Sequence, residues 1–170
     1  MENIIFIIGP ISAGKSTIAR LIKGSVIVEI DDIYGSNLDG RDFNQAYKNR
    51  RFQEVCWNQF YEKIRINKLR NKSVVALTTG LNPKFKSILK QLRKEFPKEV
   101  YIIKINSNKN NTILRTRRRR GTKQRKILDT LSTHEKFKER QIKADFVIEN
   151  NQDLVNLRRK VRDILRLIES

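Results

Sequence analysis

The chain has 170 residues, with 37 lysines and arginines against 18 aspartates and glutamates, a net charge of +19. That length predicts one domain spanning residues 1–170, able to bury a core without disulfide or metal staples, and 38% hydrophobic residues excludes a chain disordered by composition. The basic excess predicts attraction to phosphates, on nucleotides, nucleic acid or an anionic surface, with a solvated basic surface as the alternative. Cys56 has no partner for a disulfide, which predicts a reducing, cytoplasmic setting. The apolar run after Met1-Glu2-Asn3 is too short for a membrane span and lacks a basic start, so no membrane or secretory role is expected.

Ile4 to Ile8 is a continuous β-branched run and predicts a strand buried on both faces. Gly9 to Gly14 breaks it, and Lys15 to Lys23 shows helical spacing at Ile18, Leu21 and Ile22. Val26 to Ile30 predicts a second strand ending at Asp31-Asp32, and Gly35 to Gly40 a loop. Asp42 is placed to cap one long helix reaching about Leu69, with apolar Phe52, Val55, Cys56, Phe60 and Ile64 at intervals of three and four. Ser73 to Leu77 predicts a third strand, and Pro83 to Phe96 a helix with proline in its first turn. Val100 to Ile105 predicts a fourth strand, Leu128 to Lys143 a helix, and Asp145 to Ile148 a fifth strand. Leu154 to Ile168 closes the chain as an amphipathic helix. Strands alternating with helices call for a parallel sheet with right-handed crossovers and helices on both faces, an α/β three-layer sandwich.

Gly9-Pro10-Ile11-Ser12-Ala13-Gly14-Lys15-Ser16 matches the P-loop pattern in full, between a buried strand and a helix. In such a loop, glycines let successive N–H groups turn toward one phosphate, and the helix start adds favourable partial charge. Gly9, Ser12, Ala13, Gly14, Lys15 and Ser16 are therefore expected to bind a nucleoside triphosphate. Lys15 would reach the β- and γ-phosphates and the Ser16 hydroxyl would hold Mg²⁺. Thr17 either joins them or packs.

Asp31 and Asp32 fall where ligands of open parallel sheets bind, outside the carboxyl ends of strands. One of the pair, Asp32 ahead of Asp31, is expected to face the site, as a base for an acceptor hydroxyl or a partner of Mg²⁺, with an ordinary turn or cap as the alternative. The third strand ends in Thr78-Thr79-Gly80 with no acidic residue. Metal duty would then fall on Ser16 with Asp32 or Asp31, while Thr79 and Gly80 bind acceptor or phosphate oxygens or form a polar turn.

Arg115 to Lys126 holds eight basic residues in twelve and no acidic one. On a helix Arg115, Arg118 and Arg119 share a face, and Gly121 offers a hinge. This predicts an Arg-rich lid over about residues 110–127. Guanidiniums of Arg115, Arg119 and Arg120 would stabilise charge on a moving phosphoryl group, and closure would shut out water. A solvated face or a nucleic-acid contact is the alternative. Arg41, Arg50 and Arg51 would overhang the acceptor side. Trp57, Phe60 and Tyr61 either wall a base pocket or pack in the core, and His134 reads as a surface residue.

Together these residues resemble the small P-loop kinases, a group that includes nucleoside-monophosphate, shikimate and gluconate kinases, dephospho-coenzyme A kinase and polynucleotide kinase. Val28-Glu29-Ile30-Asp31-Asp32 looks like the acidic strand-two end of shikimate-type and polynucleotide kinases. Leu81-Asn82-Pro83 and Arg120-Gly121-Thr122-Lys123 are similar to polynucleotide kinases, which carry Asp where this chain has Thr78. The resemblance implies Asp31 or Asp32 as the base and Arg120 on the transferring phosphate. Residues 144–151, followed by Leu154, look like the last strand and helix of dephospho-coenzyme A kinase. The implied strand order is 2-3-1-4-5, with adenine near the lid and the turn after strand five.

Three readings rank in this order. The first is an ATP- and Mg²⁺-dependent phosphotransferase acting on a small nucleotide-like or metabolite acceptor. The second is a kinase of polynucleotide 5′-hydroxyl ends, and the third a nucleotide-dependent nucleic-acid-binding protein with slow hydrolysis. The last two give the +19 charge a partner in nucleic acid.

Overall fold

The computed structural model describes residues 2–120, 124–140, 142–151 and 153–170. Five strands, β1 (Ile4–Ile8), β2 (Val26–Glu29), β3 (Val74–Thr78), β4 (Val100–Asn106) and β5 (Phe146–Glu149), form one parallel sheet in the order β2-β3-β1-β4-β5. This is the order expected from the sequence. β1 occupies the centre because every one of its residues is buried, as a strand covered on both faces requires.

The period-two alternation of β1 divides the core into two layers. Ile4, Phe6 and Ile8 join Val74, Ala76, Val100 and Ile102 on one face. There they meet α2 (Ile30–Asn37), α4 (Arg50–Leu69) and α5 (Pro83–Glu95). Ile5 and Ile7 join Val75, Leu77, Ile103 and Ile105 on the other, under α1 (Lys15–Ala19) and α8 (Leu154–Glu169). Two further helices, α6 (Lys109–Arg120) and α7 (Gln124–Glu139), follow β4 and pack on each other. Phe137 of α7 reaches the first core layer, with the Lys104 ammonium 5.2 Å from its ring centre.

Three elements depart from the sequence reading. Asp31 and Asp32 do not end a strand: β2 stops at Glu29 and the pair sits in the first turn of α2, which runs through Asn37, so the loop expected from Gly35 begins only at Leu38. Ile30, Ile33 and Tyr34 are buried at helical spacing, and two carboxylates at a helix start are electrostatically favoured. The predicted helix from Asp42 is two helices, α3 (Phe43–Lys48) and α4. Asn49, in extended conformation, ends the first and caps the second by accepting the Phe52 N–H, while Asp42 caps α3 as expected. α1 is also shorter than its spacing suggested, because the chain turns after Ala19 through Leu21 N–H to Ile18 O and Ile22 N–H to Ala19 O.

Candidate active site

Parallel register brings the carboxyl ends of the central strands level. Ile8 lies beside Thr78, and Glu29 beside Leu77. The loop from Gly9 to Gly14 leaves β1 at that edge, so its residues meet the ends of β2 and β3 across an open cleft. Ile11, Ser12, Gly14, Lys15 and Ser16 line it from the loop and α1, Glu29, Ile30 and Asp31 from the β2–α2 junction, and Leu77, Thr78 and Thr79 from the end of β3 and the residue after it.

Close packing makes this loop. A β-carbon on Gly9 would meet the Ile105 carbonyl oxygen at 3.1 Å. Gly14 holds φ +98°, a conformation that side chains rarely adopt. Ser12 also lies in the left-handed region, at φ 61°. Ala13 is buried, and its N–H is used inside the loop on Pro10 O. The Lys15 Nζ curls back to donate to the carbonyls of Gly9 and Pro10, both at 3.0 Å. Thr17 is half-buried and does not line the cleft.

Of the two aspartates, Asp31 lines the cleft and Asp32 does not, although both are exposed. Glu29 does line it and was not singled out from the sequence. The signal was its place as last residue of β2, hidden by ending the strand one residue late. Burial pushes the Glu29 carboxyl above the ordinary range and the charges of Asp31 and Asp32 add to this, while Lys15 and Arg20 pull it back. Thr79 lines the cleft, and the buried Thr78 accepts the Gly80 N–H on its hydroxyl. Gly80 is buried beneath Ile142 and Ile8 and does not line the cleft. Among the described residues no cluster of three or more His, Cys, Asp or Glu stands ready to hold a metal alone.

Arg115 of α6 braces the loop from behind. Its guanidinium donates to Ala13 O, Ser107 Oγ, and both Asn150 O and Asn150 Oδ1. The Asn150 amide also donates to Ala13 O, at 2.6 Å. Arg117 and Arg118 are exposed, while the side chains of Arg119 and Arg120, with Gly121 and its hinge, lie outside the described residues. Arg41 does not reach the cleft; it donates to Leu38 O and Asn37 O and lies over the Phe52 ring. Arg50 is exposed beside Glu54. Trp57 and Phe60 are core, with the Trp57 indole donating to the Tyr34 hydroxyl. Tyr61 donates to Glu95. His134 is no free surface residue, because its Nε2 stands 2.8 Å from Ser107 O.

The chain shares its fold with solved small P-loop kinases. A shikimate kinase from Bacteroides thetaiotaomicron superposes with TM-score 0.69 at 17% identity, covering 99% of both chains. A gluconokinase from Sinorhizobium meliloti 1021 gives 0.67 at 16% identity, covering 98% of this chain and 94% of that one. A tunicamycin resistance protein from Deinococcus radiodurans gives 0.65 at 14% identity, covering 97% and 96%. No protein-family model matches the chain, and no curated protein matches it. No helix among the described residues is long and apolar enough to cross a membrane.

Proposed function

We propose that the chain is an ATP-dependent kinase that moves the γ-phosphoryl group to a hydroxyl of a small molecule. The observation that carries this is the cleft itself. It sets the phosphate loop, the Glu29 and Asp31 carboxylates and the threonines Thr78 and Thr79 around one volume. The kinase names of neighbours with this fold support the same reaction and a small acceptor.

In this reading the loop N–H groups and Lys15 hold the triphosphate, the Lys15 Nζ leaving the Gly9 and Pro10 carbonyls for phosphate oxygens. Asp31 accepts the proton of the acceptor hydroxyl as it attacks, with Thr79 orienting the acceptor. The donor set suits Mg²⁺, which keeps most of its waters and takes one or two carboxylates beside phosphates. Ser16 and Glu29 would hold it, and when bound it would neutralise charge on the β- and γ-oxygens. The arginines of α6 beyond Arg115 would close over the transferring group.

The +19 charge supports a second reading, transfer to a 5′-hydroxyl polynucleotide end. Part of that charge stands on one helix, as exposed Arg158, Arg159, Arg162 and Arg166 on α8. One assay separates the readings: γ-labelled ATP with Mg²⁺, against a pool of small nucleotides and metabolites and a pool of 5′-hydroxyl oligonucleotides. Label on a small molecule supports the first. Label on oligonucleotide, weakening steeply with salt, replaces it with the second. Label only in free phosphate leaves a nucleotide-dependent binding protein. In every case Lys15→Ala should lose turnover, and normal turnover there overturns the phosphate-loop assignment.

A further inference from the structure

The helices α6 and α7 carry a buried polar seam that the kinase reading does not use. Thr112 and Thr116 of α6 and Thr130 of α7 are each 0% exposed, and a hydroxyl so placed is costly unless paired. Thr116 is the hub. Its Oγ1 lies 2.8 Å from Ser12 Oγ in the phosphate loop, 2.9 Å from the Thr112 carbonyl and 3.0 Å from Thr130 Oγ1. It therefore touches the loop, its own helix and α7 at once.

A hydroxyl has one proton and two lone pairs, and Thr116 is placed to give its proton either to the Thr112 carbonyl or to Ser12 Oγ, while the bond with Thr130 can run either way. In the first arrangement Thr116 serves its own helix; in the second it donates to Ser12. Ser12 keeps its own proton in both. Ser12 lines the cleft, so that proton can go to an oxygen bound there. A phosphate oxygen favours this second arrangement, because a hydrogen bond to an anion is roughly twice as strong as a neutral one and polarises the next bond in the chain. Ser12 holds a left-handed backbone at φ 61°, which for a residue with a side chain persists only where the surroundings hold it.

We propose that Thr116 is a positioning residue whose hydroxyl relays occupancy of the phosphate loop to α6 and α7. With phosphate on Ser12, the chain from Ser12 through Thr116 to Thr130 tightens and α6 and α7 dock more firmly on the loop. A ligand shifts such an equilibrium only by its differential interaction with the two states, and the Ser12 proton supplies that difference. The inference rests on the reading that the cleft takes nucleotide phosphates.

The test is amide hydrogen exchange of the full chain with and without saturating ADP and Mg²⁺, beside calorimetric binding of the same nucleotide. In the native chain ADP should slow exchange in α6 and α7 by about five- to tenfold, the scale of one net hydrogen bond between neutral groups. Thr116→Val should still bind ADP but lose this slowing in both helices, and Thr116→Ser should restore it. Thr130→Val should lose it in α7 alone, and it carries the test if Thr116→Val does not fold. A merely structural hydroxyl would change exchange equally with and without ADP. Native-like slowing in Thr116→Val, or ADP binding to the native chain with no slowing, overturns the relay alone. A native chain that binds no ADP overturns the nucleotide reading with it.

Discussion

Gly14 and Asn150 touch so closely that a β-carbon on Gly14 would stand 2.3 Å from the Asn150 amide nitrogen. One residue opens α1 and the other follows β5, near the far end of the chain. The same amide donates to Ala13 O, and Asn150 is only 4% exposed. The last strand thus fixes the shape of the phosphate loop.

Gly14→Ala should therefore fail on two counts. The φ of +98° costs about 1–3 kcal/mol for a residue with a β-carbon, and the Asn150 amide must also leave its hydrogen bond, about 1 kcal/mol more. Asn150→Ala alone should cost about 1–2 kcal/mol. Denaturant unfolding of both singles and the double variant should give a total well below the sum, since the double variant has no clash. Simple additivity would show that the contact does not shape the loop.

The two aspartates give a sharper prediction for activity. Asp31 lines the cleft and Asp32 does not, so Asp31→Asn should lower kcat of phosphoryl transfer by about 10²–10⁴ while leaving ATP affinity within a few fold. Asp32→Asn should stay within about threefold of native on both. Steady-state kinetics with calorimetric binding reads this, and the opposite ranking would place the base on Asp32.

Much of this architecture is legible in the chain, and the misses have causes. Ile4 to Ile8 is so apolar that only a central strand accommodates it, and Gly9 to Ser16 dictates the phosphate loop and the helix start behind it. The β2 end was misread because Ile30 continues the apolar alternation of Val26 to Glu29, although Ile30, Ile33 and Tyr34 already carry helical spacing. Glu29 was missed with it. The split at Asn49 was hidden because a capping asparagine resembles any polar helix residue. Contacts between distant segments, such as Thr116 with Ser12 and Arg115 with Asn150, leave no local pattern at all.

Arg115 should behave as a brace. Its guanidinium serves acceptors on Ala13, Ser107 and Asn150. Arg115→Met keeps the stem and strands those acceptors, at a cost of about 1.5–3 kcal/mol, the range for hydrogen bonds to a charged group. Thermal melting should show this without nucleotide. An unchanged melting temperature with lost turnover would instead make Arg115 a group acting on the substrate.

Cys56 is 0% exposed and burial pushes its thiol above the usual range. It should resist thiol reagents in the native state and react at the rate of unfolding. A titration with a chromogenic disulfide, in buffer and in denaturant, checks this; fast labelling in buffer would contradict the packing of α4.

Glu29 sets stability against function. Burial first, then the charges of Asp31 and Asp32, raise its pKa, and Lys15 and Arg20 offset only part of this. In the unfolded chain a glutamate loses its proton near pH 4.3; in the folded chain Glu29 holds it to higher pH. Between those values the folded state binds more protons, so stability falls as pH rises through the window and the loss is complete above it. Glu29→Gln removes that loss. The carboxyl is half-buried, so solvent screening keeps the gain to a fraction of a kcal/mol, about 1–2 °C in melting temperature at pH 7. At pH 3.5, where both states of the native glutamate are protonated, the two proteins should melt together. In the proposed kinase reading turnover should move the other way, because a neutral amide would hold Mg²⁺ more weakly than a carboxylate. A variant that melts lower at pH 7 would mean that Glu29 is held in place by Lys15 and Arg20 more strongly than burial opposes it.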